Sequence, residues 1–519
     1  MFSMTQLVRR AAQINGDGLA TWDGARQQTW NQFQKRIATF AGGLKRLGLE
    51  DGDRVAMLAL NSDRYFEFLF AVPWAGGVFV PINTRLAAPE FVYWLNSSGA
   101  KVVFVDTSFI EIIDSIRDQL TDAKHFILVD DGETRPGWLS YNEIIDTPPI
   151  ADVGRADHDM AGLYYTGGTT GRSKGVMLSH NNLVVNAFQG LPVLHVAPGE
   201  KTLHVAPMFH IADGWICMSS ATQACANYFY PAFAPELTAK AIQTHKIERA
   251  LLVPTMVNML VNHPGIEDFD LTSIRTIAYG ASPMPEPVIR RAMEIMPGTD
   301  FYQAYGQTET APCLTVLGPE RHTFEGPLAG KMKSAGRPLP GIDLQIRDED
   351  DKEVKNGVVG EICVRGPNVM LGYRNMPEQT AATIMNGWLH TGDGGYLDDD
   401  GFVFIVDRVK DMIVSGGENV YSAETENAIY LHEAVDQCAV IGIPHEKWGE
   451  QVHAVVVLKA GQTVDETTLI EHCKQQIAGF KCPRSISFQD EPLPLSGAGK
   501  ILKTELRKPF WGDQGRNVN

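Results

Sequence analysis

Residues 161–175 read AGLYYTGGTTGRSKG. The first six form a short apolar run that predicts a strand, and the chain then turns into a loop of unusual composition. Residues 164–175 hold four glycines, three threonines, Arg172 and Lys174. Glycine lets a backbone approach a ligand closely, and N–H groups, hydroxyls and a cation together suit a polyphosphate. A flexible linker would need neither the threonines nor the cations. The stretch is not a Walker A loop, because Lys174 is followed by Gly and the spacing differs.

Outward from this loop, short apolar runs alternate with helical patterns. RVAMLAL (54–60), VFVPI (78–82), KVVFVD (101–106), FILVD (126–130), RALLVP (249–254) and IRTIAYG (274–280) read as strands. RYFEFLFAVPWAG and FIEIIDSIRDQL read as helices. The runs ending at Thr166, Pro254 and Gly280 are each expected to pass through a polar or Gly-rich turn into a helical segment. This is the βαβ rhythm of a mostly parallel sheet, whose ligands bind at the carboxyl ends of strands. From about residue 340, LQIRDED, GEICVRG and GFVFIVD are short alternating strands with Asp/Gly turns, which predicts an antiparallel subdomain. A boundary near 407–411 precedes a tail of small α+β character. The fold class is therefore α/β: a large body of mostly parallel sheets with helices, an antiparallel β subdomain and a small C-terminal α+β domain.

The chain has 519 residues, a formal net charge of −17, 44 % hydrophobic and 21 % charged residues. That composition excludes disorder, and the acidic balance argues against nucleic acid or adsorption to anionic lipid as partners. It does not exclude phosphate ligands, which local N–H groups and one or two cations hold. No secretory signal is expected at MFSMTQLVRRAAQ and no integral membrane segment elsewhere. The apolar stretch 68–82 is broken by Pro73 and a Gly pair and reads as a buried helix and strand. Seven scattered cysteines without a CxxC pair predict reduced thiols in a cytoplasmic protein, with no zinc site or disulfide frame.

Three further stretches carry chemistry. QAYGQTET (303–310) offers a Tyr to stack a base and Glu309 to hold a cation, although a surface turn fits it equally well. WLHTGD (388–393) places Asp393 in a turn where a carboxylate can accept from both hydroxyls of a ribose. Asp398, Asp399, Asp400 and Gly401 read as a hairpin turn only. LPLSGAGKILK (493–503) sets Lys500 after a Gly-Ala-Gly loop, where it can reach a phosphate or carboxylate; a lone lysine is more often solvated surface.

Together, YTGGTTGRSKGV, APMFH, YGASPMP, YGQTE, SAGRPLPG, GEICVRGPNVMLGY, GWLHTGD, DRVKDMIVSGGENVYSAE and LPLSGAGKILK resemble the adenylate-forming superfamily of acyl-CoA synthetases, carrier-protein adenylation domains and luciferases. The resemblance runs from about residue 5 to about 508. It implies an ATP-dependent acid–thiol ligase with ATP, Mg²⁺ and coenzyme A: a carboxylate attacks the α-phosphate of ATP to give acyl-AMP and pyrophosphate, then CoA displaces AMP. It implies that Thr166, Gly167, Gly168, Thr169, Thr170, Gly171 and Lys174, with Arg172, hold the β/γ-phosphates. Gly280, Ala281, Ser282, Tyr302, Gln303, Ala304, Tyr305 and Gly306 would form the adenine slot. Thr308 would touch the α-phosphate, Glu309 with Thr170 would bind Mg²⁺, and Asp393 and Arg408 would bind the ribose. Lys500 would bridge substrate carboxylate and α-phosphate. His210, in APMFH, matches an aromatic gate; a packed strand-end histidine is the alternative.

The resemblance also divides the chain into an adenylate-forming domain (1–407), a hinge (408–412) about Lys410, and a mobile domain (413–519) carrying Lys500. After adenylation Ser415, Gly416, Gly417 and Glu418 would enter to line the pantetheine tunnel. A homodimer is common in the family. Relatives usually carry Ser and Pro where this chain has Gly167 and Ser173, which bears on nucleotide affinity.

The acyl pocket is expected between 210–215, 254–257, Gly280 and 304–314, with Met208, Trp215, Met218, Met256 and Met259 making it apolar. Asp213 is its one acidic residue besides Glu309, so no charged pair awaits an ammonium group. A medium- or long-chain fatty acid leads as substrate, and a hydroxycinnamate- or benzoate-like acid follows. Transfer to a separate carrier protein, a non-catalytic nucleotide binder and a luciferase-like oxygenase are the other classes. The presence of Lys500 and Glu309 disfavours the non-catalytic one.

Overall fold

The structure, a computed structural model, describes residues 1–130, 135–166, 173–282, 284–408, 412–415, 418–445, 448–497 and 499–511, with the backbone alone for residues 407, 408, 414, 418 and 419. Its centre is the helix Asp63–Trp74, buried along its whole length and capped by Ser62, whose hydroxyl accepts from the Tyr65 N–H. A helix buried on every side must lie between layers, and its polar residues are paired there: Asp63 with Arg26 and Glu67 with Arg36. This one follows the strand Arg54–Leu58 and leads to Val78–Pro81, which pairs parallel to it.

That pair sits in an eight-stranded sheet ordered Gly372–Tyr373, Lys174–Ser179, Met160–Thr166, Val78–Pro81, Arg54–Leu58, Ala100–Val105, His125–Leu128, Leu139–Ser140. A nine-stranded sheet places Asp300–Gly306, Thr276–Gly280, Arg249–Leu251, Lys201–His204, Ala226–Phe229 and Leu19–Asp23 in parallel, with antiparallel strands at both edges. One apolar core joins both sheets through Phe66, Phe68, Phe70, Trp215 and Phe229. The parallel α/β body predicted from the strand–helix rhythm is therefore present.

One expectation is corrected. The strand Met160–Thr166 is followed by another strand, Lys174–Ser179, in antiparallel register with Thr166 opposite Lys174. KGVMLS alternates around Val176 and Leu178, which are fully buried, so it folds back along the sheet instead of starting a helix. The helix comes later, at His180–Gly190.

A third, wholly antiparallel sheet contains Asp343–Arg347, Gly360–Arg365, Ile384–Met385, Trp388–Leu397 and Val403–Arg408. The fourth belongs to the tail: Ile413–Ser415, Glu418–Val420, Val435–His445, Gly449–Leu458 and Ser485–Phe488. It has apolar clusters on both faces, because Cys438 and Val440 point one way while Ala439 and Ile441 point the other. All seven cysteines are buried and free. Among the described residues no helix is long and apolar enough to cross a membrane.

Candidate active site

Parallel neighbours end on the same side of a sheet. Gly280 pairs with Ala304 at the carboxyl ends of two central strands. A Cβ on Gly280 would meet the Ala304 carbonyl oxygen at 2.1 Å, and one on Gly306 the Pro312 oxygen at 2.0 Å. Only glycine fits such backbone contacts. Ala281 follows with φ +71°, a left-handed conformation that strains a residue with a Cβ. Residues 280–282 and 303–306 thus lie side by side at one end of the sheet.

There the Tyr305 hydroxyl donates to Asp393 Oδ2 at 2.8 Å. Asp393 comes from the antiparallel sheet, where the Trp388–Leu397 strand pairs it with the backbone of Arg408. The candidate slot and Asp393 are therefore brought together, with the backbone of Arg408 in register beside Asp393. Gln303 accepts from the Tyr279 hydroxyl at 3.3 Å. Tyr302 does not join them: its ring is buried in the core and its hydroxyl lies 3.3 Å from His195 Nδ1. Residues 302 and 303 point to opposite faces of a strand, so Gln303 and Tyr305 share the face of the candidate adenine slot and Tyr302 does not.

Glu309 sits on the short turn Thr308–Thr310, 8 % exposed, and accepts from the Tyr373 hydroxyl at 2.8 Å. Burial first, and then the charge of Glu309, push the Tyr373 phenol pKa up, so it stays a donor. Lys174 Nζ lies 4.6 Å from the centroid of the same ring, a cation–π contact. Tyr373 thus links the candidate metal ligand to the candidate phosphate lysine. Thr166 ends the strand opposite Lys174. Gly167, Gly168, Thr169, Thr170, Gly171 and Arg172 lie outside the described residues, as do Lys410, Gly416 and Gly417; for Glu418 the backbone is described, in strand register with Ser415.

His210 caps the helix Ile211–Thr222, with Nδ1 accepting from Ala212 N–H at 3.3 Å. Desolvation, and then the positive charge of Lys500, lower its pKa to about 4, so its ring is neutral at neutral pH. The Lys500 hairpin is docked on the same side of the body, where the Arg85 guanidinium donates to the Ser496 carbonyl. That hairpin is tight: Ser496 N–H donates to Lys500 O at 2.7 Å and Lys500 N–H to Ser496 Oγ at 3.1 Å.

The pocket walls are partly corrected. Trp215 is fully buried, with Nε1 donating to Asn186 O at 3.0 Å. It fills the core, as Met208 and Met218 do. Met259 is 52 % exposed and faces solvent. Asp213 turns away from any ligand and holds His204 Nδ1 at 2.9 Å.

These features sit in a chain that matches the AMP-binding enzyme family over residues 8–374 and the AMP-binding enzyme C-terminal domain over 424–500. The chain belongs to the AMP-binding enzyme family. It is 38 % identical to a feruloyl-CoA synthase of an Amycolatopsis species over 502 residues, covering 96 % of this chain and 98 % of that one. It is 37 % identical to the fatty acid–[acyl-carrier-protein] ligase ScoC of Streptomyces coeruleorubidus, covering 95 % and 94 %. The fold superposes on an anthranilate CoA ligase, AuaEII, solved with anthranoyl-AMP, at TM-score 0.90 and 26 % identity over 98 % and 97 % of the chains. The chain is thus an adenylate-forming acid–thiol ligase that releases AMP.

Membership gives weight to residues that the sequence reading passed over. Glu361 Oε1 accepts from the Gly392 N–H at 2.8 Å, and Oε2 lies 2.8 Å from His390 Nδ1. The turn presenting Asp393 is pinned from the neighbouring strand. A charge-assisted hydrogen bond contributes about 1.5 kcal/mol, roughly tenfold. Glu361→Ala should therefore raise KM for ATP about tenfold with kcat little changed, while Glu361→Gln, which keeps an acceptor, should retain most of the affinity. Steady-state kinetics at varied ATP checks this. Tyr373, Asn83 and Arg85 were likewise missed. Only Asn83 and Arg85 carry a local signal, an Asn-x-Arg turn directly after the strand Val78–Pro81.

Proposed function

We propose that the chain joins an aromatic carboxylic acid of hydroxycinnamate or benzoate type to coenzyme A through an acyl-AMP intermediate. The observation that carries the mechanism is the docking of the Lys500 hairpin against Asn83, Arg85 and Val253, with Glu309, Lys174, Tyr305 and Asp393 held by one another at the strand ends. ATP lies with its adenine against Tyr305 and its ribose on Asp393. Lys500 offsets the repulsion between the incoming carboxylate and the α-phosphate. Positioning and charge neutralisation are what transfer at phosphorus needs.

Glu309 fits a divalent cation: it is a buried carboxylate with one oxygen engaged by Tyr373, and Mg²⁺ favours hard oxygen donors shared with phosphate. Glu309 and Thr170 would hold it, and when bound it supplies charge to the phosphates. In the second half-reaction the 413–519 domain swings about 408–412, and residues 415–418 replace Lys500 at the site.

The acid carries no ammonium group, because the wall carboxylate that could pair with one, Asp213, is buried with Oδ2 on His204 Nδ1. Similarity to a feruloyl-CoA synthase and to an anthranilate CoA ligase supports an aromatic one. A medium- or long-chain fatty acid is the second reading, supported by similarity to ScoC, and that likeness also makes a separate carrier protein the alternative acceptor. Pyrophosphate release over a panel of hydroxycinnamic, benzoic and C8–C18 acids, with and without CoA, decides. The aromatic acids should give the highest kcat/KM. A preference for long alkyl acids would overturn the substrate assignment, and turnover only with a carrier protein would overturn the acceptor.

A further inference from the structure

The strand Val78–Pro81 ends in Ile82, Asn83, Thr84 and Arg85, which take no part in the chemistry above. Asn83 Oδ1 accepts from the Arg85 N–H at 2.9 Å, an Asx turn that orients both side chains. They meet the Lys500 hairpin. Arg85 Nη1 donates to the Ser496 carbonyl at 3.1 Å. A Cβ built on Gly497 would lie 2.3 Å from Asn83 Nδ2 and 2.8 Å from its Cγ, so the carboxamide rests on the bare Cα. On the other side, Gly499 has φ +78°, and its Cβ would come within 3.0 Å of Val253. The hairpin tip is thus held between the 83–85 turn and the start of the helix Pro254–Val261, and residue 500 follows directly.

We propose that Asn83 and Arg85 are a conformer-selective latch: they hold the Lys500 hairpin on the body for adenylation and release it before thioester formation. The latch rests on the function proposed above. Arg85 binds a backbone carbonyl and not the substrate, so it is a positioning residue. The contact joins the body to the hairpin that carries Lys500, so a pose that withdraws Lys500 must break it. Losing it should slow one half-reaction and spare the other.

Arg85→Ala should lower acyl-AMP formation, read as pyrophosphate release in a single turnover, about tenfold. Thioester formation from supplied acyl-AMP should stay within about twofold, and Arg85→Lys, still a donor, should recover most of the loss. A second test is independent of activity. Asn83→Cys with Gly497→Cys places two thiols within disulfide reach, while all seven native cysteines are buried. Under oxidised glutathione the pair should bridge. The bridged enzyme should make acyl-AMP and stall before the thioester, and reductant should restore turnover. Failure to bridge, or an equal loss of both half-reactions in Arg85→Ala, overturns the latch. A wild type that adenylates no acid would overturn the proposed function and the latch's role with it, whereas an adenylating wild type with either of those results overturns the latch alone.

Discussion

Lys500→Ala should cut acyl-AMP formation by about three orders of magnitude and leave thioester formation from supplied acyl-AMP largely intact. Removing one preorganised charge from a phosphoryl- or acyl-transfer site costs about 10²- to 10³-fold, and cations on transferring phosphoryl groups reach about 10³-fold or more. The upper part of that range applies here because Lys500 acts between two anions that must approach each other to react. Nothing else described at the site can replace it: Lys174 is on the Tyr373 ring, and Arg85 is spent on Ser496 O. The measurement is single-turnover formation of the adenylate beside thioester release from synthetic acyl-AMP. Equal loss in both would show that Lys500 holds the fold or the CoA site, and would sink its assignment to the first half-reaction. The split should exceed that of Arg85→Ala by about a hundredfold, because Arg85 only places the hairpin while Lys500 carries the charge.

The sequence made legible what depends on short-range chemistry. Strand–turn–helix punctuation located both parallel sheets, and the Gly-rich run after Thr166 marked the strand ends. The fold-back at Lys174 was not legible, because a short apolar run such as KGVMLS has the same periodicity in a buried strand as in a short buried helix. The aromatic at 302 went wrong for a related reason: YQAYG puts both tyrosines in one motif, but the pleat sends Tyr302 into the core and Tyr305 to Asp393. Long-range partners were invisible. Asp393 reaches Tyr305 across 88 residues, Glu309 reaches Tyr373 across 64, and Arg85 reaches Ser496 across 411. No local pattern encodes such pairings. Substrate class was the least legible, because the methionines and tryptophan taken for pocket walls are mostly core, and a buried apolar side chain looks the same in either place.

The pocket acid is where that ambiguity has its largest energetic consequence. Asp213→Ala should destabilise the protein by about 3–5 kcal/mol while leaving its choice of acid unchanged, since breaking a buried ion pair strands the other charge. The geometry makes the pair specific. Asn227 Nδ2 donates to Ala20 O at 2.9 Å and to Cys225 O at 3.1 Å, which fixes its Oδ1 as an acceptor for His204 Nε2–H at 3.0 Å. The other ring nitrogen then faces Asp213 Oδ2 at 2.9 Å, and both side chains are essentially unexposed. Desolvation alone would lower the His204 pKa, but the charge of Asp213 and the hydrogen bonds from Asp213 and Asn227 outweigh it, and the net shift is upward. A histidine raised above its unfolded value of about 6.5 contributes stability that is complete below that pH and fades as pH rises through the folded pKa. The stability gap between wild type and Asp213→Asn, which keeps shape and acceptor but not charge, should therefore be widest near pH 5–6 and shrink toward alkaline pH. Urea unfolding followed by intrinsic fluorescence at several pH values measures it, with Trp215, two residues from Asp213 on the same helix, among the reporters. In parallel, the acid panel should return the same ranking for wild type and variant, with KM for the acid moving less than about threefold. A variant of wild-type stability that gained or lost a class of acids would place Asp213 in the pocket wall and reverse this assignment.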